Sequence, residues 1–211
     1  MTPKQISYEN AAKTIIKNLE KRQMEGYYYA SSASAVEGIL SMIPSGSSIG
    51  WGGSMTLSET GLMDAIRQKD YVLFDRETSQ TKEAQKEMYA NIFGSDFFLM
   101  STNAITLDGE LVNIDGRGNR LSFLCYGPEH VIITAGMNKV VSDVESGIKR
   151  IQDIASPANG VRLHKSTPCA VTGRCGDCLS PDCMCSHTVI TRFSSIPNRI
   201  KVVLIGEELG Y

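Results

Sequence analysis

Apolar positions recur along this chain with two different periods, and the switches between them mark out its elements. From Ile6 to Met24 the residues Ile15, Ile16 and Leu19 fall on one face of an otherwise polar run, the spacing of an amphipathic helix. Ala35 to Ile43 predicts a second helix, closed by Pro44. Ser47 to Trp51 is a short apolar strand ending in Gly52-Gly53-Ser54, and Thr56 and Glu59 then stand at the spacing of a capping box that opens a helix. Tyr71 to Phe74 predicts a buried strand, Gln80 to Ile92 a polar helix, and Asp96 to Thr102 another apolar strand.

Ile105 to Asn113 is interrupted by Asp108-Gly109, a strong hairpin signal. Arg120 to Cys125 and His130 to Thr134 have the apolar density of strands, which makes Cys125 a core residue. Ser142 and Glu145 form a second capping-box pair, predicting a helix to about Ala155. A segment rich in Gly, Pro and Cys covers roughly Ser156 to Ser186, and two strands, Thr188 to Phe193 and Ile200 to Ile205, complete the chain. Strands alternate with helices through the first half, which predicts an α/β fold with a mostly parallel sheet flanked by helices, made mixed by the hairpin. With no internal repeat and no long linker, residues 1–211 read as one domain carrying a C-terminal Cys-rich loop at 167–187.

Composition narrows the partners. The chain of 211 residues is 42% apolar and 21% charged, with a net charge of −2, and no run of Lys or Arg exceeds two. That excludes the basic stripe that nucleic acid or an anionic membrane needs. There is no apolar h-region in the first twenty residues and no stretch near the roughly 20 apolar residues of a membrane span, so the expected location is cytoplasmic.

Two polar regions are candidates for binding. In Gly52-Gly53-Ser54, a glycine turn between a strand and a helix start brings bare N–H groups close to an anion, or is only a tight connection. It is not the dinucleotide pattern, because the third glycine and the downstream acidic residue are missing. The hairpin region is dense in Asn, Asp, Gly and Arg beyond what turns need; Asn103, Asn113, Asn119 and Arg120 are placed to line a cleft, or to serve turns. Lys139, after the apolar strand at 130–134, emerges at a strand end, where open α/β sheets place ligands. Its alternative is a solvated loop charge.

Gly52-Gly53-Ser54-Met55-Thr56-Leu57, Asn103-Ala104-Ile105-Thr106, Gly109-Glu110-Leu111-Val112-Asn113, Gly118-Asn119-Arg120 and Gly136-Met137-Asn138-Lys139 together resemble the LUD-domain family, over almost the whole chain and in the same order. The family is often labelled lactate utilisation protein, after members encoded with L-lactate oxidation. The resemblance implies a fold like that of ribose-5-phosphate isomerase and the CoA-transferases, which hold phosphorylated or acyl substrates over a glycine turn. It implies ligand contacts at Gly52, Gly53 and Ser54, with Asn103 and Asn113 nearby. It assigns no catalytic residue.

Five of the six cysteines fall between Cys169 and Cys185, spaced Cys-x5-Cys-x2-Cys-x4-Cys-x-Cys. In a reducing compartment such a cluster binds metal more readily than it forms disulfides. Zinc and a cubane cluster each want four ligands, and a single Cys-x2-Cys knuckle within one loop is closer to iron–sulfur habit than to zinc. The family branch with this tail carries Cys-x5-Cys-x2-Cys-x6-Cys, which selects Cys169, Cys175, Cys178 and Cys185 and leaves Cys183 over; His187 beside them is a substitute ligand or a cap of the strand that follows.

Two functions are thereby expected. One is a component or accessory of iron–sulfur-dependent oxidation of a small organic acid such as lactate, working with other subunits of a redox complex. The other is a non-redox enzyme or binding protein for a small anionic metabolite, phosphorylated or acyl, with a structural zinc site.

Overall fold

The computed structural model describes residues 1–79 and 81–211. Helix α1 (Pro3–Lys21) is opened by a capping box not read from the pattern: the Thr2 hydroxyl accepts from Gln5 N–H, and the Gln5 side chain accepts from Thr2 N–H. Its buried stripe is Ala12, Ile15 and Leu19. The expected helix to Met24 stops at Lys21, and strand β1 (Glu25–Tyr29) follows, an edge strand whose half-buried aromatic run shows no alternation.

Then come α2 (Ser32–Met42), β2 (Ser48–Trp51), α3 (Met55–Glu59), α4 (Leu62–Arg67), β3 (Val72–Phe74), α5 (Lys82–Phe93) and β4 (Phe97–Met100). Gln80, the expected start of α5, lies outside the described residues; the cap is Thr81. The hairpin is β5 (Ala104–Thr106) and β6 (Leu111–Asp115), and α6 (Asn119–Cys125) leads to β7 (His130–Gly136). The two-residue β8 (Val140–Val141) precedes α7 (Val144–Arg150), α8 (Ser156–Arg162) and α9 (Pro168–Thr172), with β9 (His187–Thr191) and β10 (Ile200–Ile205) last.

Six strands form a wholly parallel sheet in the order β1-β10-β7-β4-β2-β3. Successive residues alternate between its faces. Phe98, Met100, Val131, Ile133, Val202 and Leu204 pack with α1, α5 and α6; Phe97, Leu99, Ile132, Val203 and Ile205 pack with α2, α3 and α4. The mostly parallel α/β architecture is the one expected. The hairpin, however, stands in a second sheet, β8-β5-β6-β9, and the two final strands separate, β9 pairing with β6 and β10 with β7.

Three local expectations are corrected. Arg120 to Cys125 is helical, because Gly118 takes a left-handed φ of 75° that caps α6, and Leu121 and Leu124 share one buried face. A six-residue apolar run fits strand and buried helix equally well, so pattern alone could not decide. Cys125 therefore ends a helix and is exposed rather than in the core. Ser54, not Thr56, caps α3, its hydroxyl accepting from Leu57 N–H, and Asp143, not Ser142, caps α7. Finally, α7 does not end near Ala155. A π-helical turn, Ile151–Ala155, carries it into α8, with Ser156 N–H reaching back to Ile151 O and Pro157 in the first turn of α8. Among the described residues, no helix is long and apolar enough to cross a membrane.

Candidate functional site

Strands β2 and β4 are neighbours, but the chain leaves β2 toward β3 and leaves β4 toward the second sheet and β7, in opposite directions. At such a switch point the loops after two adjacent parallel strands part and leave a crevice. Here the crevice is a cleft of about 130 Å³ with Ser54, Asn103, Asp115, Arg120 and Lys139 in its wall and Arg162 at its side.

Lys139 is 3% exposed, and its Nζ lies 2.8 Å from Thr56 Oγ1 and 3.0 Å from Ser101 Oγ. Among the described residues no carboxylate comes within ion-pair distance of it. Burial, then the positive charges of Arg150 and Arg120, push its pKa down to about 7, opposed by Glu59. Arg120 uses its whole guanidinium on the frame of the site. Nη1 donates to Ser101 O and Asn113 Oδ1, Nη2 to Asn103 Oδ1 and Ile114 O, and Nε stands 3.6 Å from Asp115 Oδ1. Arg150 in turn holds the carbonyls of Asn103 and Asn138. Asn138 clamps Leu209 and Gly210, bringing Tyr211 onto the cleft. Among the described residues, two buried cleft atoms have no partner at hydrogen-bond distance: Asp115 Oδ2 and the Tyr211 hydroxyl, whose pKa burial raises and the neighbouring Arg162 lowers.

Beside the cleft lies a second cavity, of about 190 Å³, walled by all five clustered cysteines. Ser156 and Met184 line both spaces. Four sulfurs have a polar neighbour: Thr167 Oγ1 at 3.2 Å from Cys169, Asp177 N–H donating to Cys175 at 3.4 Å, Ser180 Oγ at 3.6 Å from Cys178, and Ser156 Oγ at 3.3 Å from Cys185. Cys183 instead approaches Cys178. Hydrogen bonds from Ser180 lower the Cys178 thiol pKa, and burial raises that of Cys185. Among the described residues, no three Cys, His, Asp or Glu side chains are close enough together to hold a metal ion. His187 begins β9 exposed, its ring beside Gly118 and off the cavity wall.

The family model of the LUD domain matches residues 12–205, nearly the full chain. The chain belongs to the LUD-domain family. Among solved structures it is similar to a DUF162 family protein from Deinococcus radiodurans, with a TM-score of 0.54 at 13% identity, covering 94% of this chain and 98% of that one. At that identity the likeness is one of fold. Weaker matches are eIF2B delta from Chaetomium thermophilum, with a TM-score of 0.36, 16% identity and coverage of 53% and 48%, and ribose 5 phosphate isomerase A from Neisseria gonorrhoeae, with a TM-score of 0.35, 15% identity and 54% of both chains. None of the curated proteins matches.

Within this LUD domain, the residues singled out from the sequence divide. Gly53, Ser54, Asn103, Arg120 and Lys139 line the cleft. Gly52 is buried beneath the turn, and Asn113 lies wholly buried behind Arg120, its Nδ2 unpartnered. Asn119 opens α6 and does not reach the cleft. Sequence reasoning missed Thr56 and Ser101 as partners of Lys139, and Asp115, Arg162 and Tyr211 as wall. Signals were present for three of them: Thr56 stands beside the glycine turn, Asp115 in the polar hairpin region, and Ser101 directly after the apolar strand β4. Arg76 was missed too; its Nη2 lies 2.6 Å from where a Gly53 side chain would begin.

The depressed lysine makes stability depend on pH. An unfolded lysine keeps its proton to about 10.5, so between pH 7 and that value the unfolded chain binds the extra proton. Stability contributed here should then rise with pH, by up to about 1.4 kcal/mol per unit. Urea titrations of the wild type and Lys139→Met should diverge in the wild type's favour as pH climbs, and a pH-independent difference would contradict the burial of a titrating amine.

Proposed function

We propose that this LUD-domain protein binds a small organic acid in the cleft and holds an iron–sulfur cluster on the adjoining thiols, as a component or accessory of an electron-transferring oxidation of such an acid. The observation that carries this reading is the shared wall: Ser156 and Met184 separate a cationic cleft from five sulfurs. Lactate is the acid that the family label suggests.

The donor set suits a cluster by its chemistry, although among the described residues no three of the sulfurs stand close enough together to ligate one ion. Soft thiolates gathered in one loop suit iron–sulfur ligation, and N–H and O–H groups beside the sulfurs are the neighbours that tune it. Cys169, Cys175, Cys178 and Cys185 would hold the group, since these are the sulfurs with such neighbours, and it would supply one-electron transfer when bound. The chain's own part is binding and proton handling. Arg162 is the cation with donors to spare for a carboxylate, because Arg120 has spent its own. Lys139, near half-charged at neutral pH, can take or give a proton in the cleft wall.

A second reading has one observation in its favour. The cleft's cations Lys139, Arg120 and Arg162 belong to strand ends and helices, not to the cysteine loop, so an anionic phosphorylated or acyl metabolite could be handled without redox chemistry, over a structural zinc. Purification without air, followed by iron, sulfide and zinc analysis, separates the two. Brown protein with iron and sulfide is expected; colourless protein with zinc selects the second reading, and no metal under those conditions ends both metal assignments.

A further inference from the structure

The acid-binding reading says what the cleft attracts, and the surroundings of Lys139 say what it could do with it. The hydroxyl protons of both its partners have other acceptors: Thr56 Oγ1 faces Leu209 O at 3.4 Å, and Ser101 Oγ faces Thr102 O at 3.3 Å. Both hydroxyl oxygens are therefore left to accept from Nζ. A neutral amine has two N–H groups and one lone pair, so the two hydroxyls take both hydrogens and leave the lone pair over. With no carboxylate among the described residues at ion-pair distance to hold the charged form, and with Lys139 in the cleft wall, that lone pair is left for a bound molecule.

The remaining wall suits a carbonyl. The buried Tyr211 hydroxyl, beside the Arg162 guanidinium, has its own proton unclaimed, and Asp115 Oδ2 is a buried acceptor without a partner. Gly210 passes so close that a Cβ would stand 2.6 Å from Thr56 Oγ1 and 3.4 Å from Nζ, and its φ is +57°. Bare backbone here keeps the amine uncrowded on that side. Arg162 supplies the charge that would meet a carboxylate.

We propose that Lys139 is a nucleophile that forms an imine with a small acid bearing an adjacent carbonyl, a 2-oxo acid or an acid aldehyde. This rests on the cleft being the acid site and names its ligand class. The amine attacks the carbonyl carbon and loses a proton, the carbonyl oxygen becomes the hydroxyl of a carbinolamine, and that hydroxyl leaves as water with a proton from Tyr211 or solvent. Carbon and nitrogen are then joined by a double bond, with no oxidant or reductant consumed. A lysine free of its proton near neutral pH is what the attack requires, and the depressed pKa of Lys139 meets that need.

The test is trapping of the full-length protein with glyoxylate or pyruvate and cyanoborohydride, whose hydride reduces the imine to a stable secondary amine. Peptide mass mapping should show one saturable adduct, on Lys139, at least tenfold above any other lysine. Tyr211→Phe should slow its formation, and Lys139→Met should abolish it. Because the wild-type map reads the site directly, a poorly folded variant does not blur the result. Calorimetric titration of the same acids, with lactate as a control that has no carbonyl, separates the two levels. Binding without an adduct on Lys139, or labelling spread over surface lysines, overturns the imine and leaves the acid site standing. Absence of binding by all three acids overturns both.

Discussion

Arg120→Met should destabilise this protein by roughly 3–5 kcal/mol and abolish acid binding, the largest loss expected from any substitution in the cleft. The guanidinium serves four oxygens at 2.9–3.1 Å and lies beside the Asp115 carboxylate. Methionine fills much of the volume but donates nothing, so the carbonyls of Ser101 and Ile114 lose a partner inside the protein. Asn113 Oδ1 and Asn103 Oδ1 would each keep one backbone donor, from Asn103 and Ile114, so the frame loosens rather than disappears. The Asp115 charge, its side chain 18% exposed, would be left without a cation beside it. Arg120→Lys should recover only part of the loss, since a single ammonium cannot span the fork that joins β6 to the loop after β4. Urea unfolding of the three proteins reads the effect. A loss below about 1 kcal/mol for Arg120→Met would show that water replaces the guanidinium without penalty, and that the site is not organised around it.

Under the proposed cluster assignment, Cys178→Ser should strip the metal and open the loop to protease, while Cys183→Ser should leave metal stoichiometry unchanged. All five thiols face one cavity, so burial does not choose among them. The polar neighbours do: Cys169, Cys175, Cys178 and Cys185 each have an O–H or N–H group beside the sulfur, whereas Cys183 lies against Cys178. Loss at Cys178 is expected to lower metal content about tenfold or more, because ligation energy is also the folding energy of a loop with few apolar residues of its own. Leu179, the apolar residue at its tip, is fully exposed and adds nothing to a core. Metal analysis without air, paired with limited proteolysis between Thr172 and Ser186, measures both consequences. Equal metal loss from the two substitutions would put Cys183 among the ligands.

The local code of the chain was readable where a single element decides the outcome. The apolar runs at Ser48–Trp51, Phe97–Met100, His130–Gly136 and Ile200–Ile205 are strands buried on both faces, and such runs announce a parallel sheet. Asp108-Gly109 turns the hairpin, with Gly109 at a φ of +86°. Where a segment was too short to show its period, pattern failed: α6 has the composition of a strand, and β1 is an edge strand without alternation.

What the sequence determined by itself is thus the family, most of the order of strand and helix, with α6 and β1 the exceptions, the glycine turn, and the gathering of five cysteines in one segment. These are properties of neighbouring residues, set by backbone sterics and by the period at which apolar side chains recur. The tertiary structure alone decided the chemistry of the site. Lys139 reads only as a strand-end cation, cleft residue or loop charge, until the fold brings Thr56 from 83 positions away and Ser101 from 38 to its nitrogen and buries it. Arg120 reads as a ligand group until its partners are seen to be protein oxygens. The adjoining walls of cleft and thiol cavity come from Ser156, placed by a π turn, and Met184, placed by the return of the chain into β9. Such convergence depends on strand order and on which way each crossover leaves the sheet, a choice made by the packing of the whole core rather than by any local period.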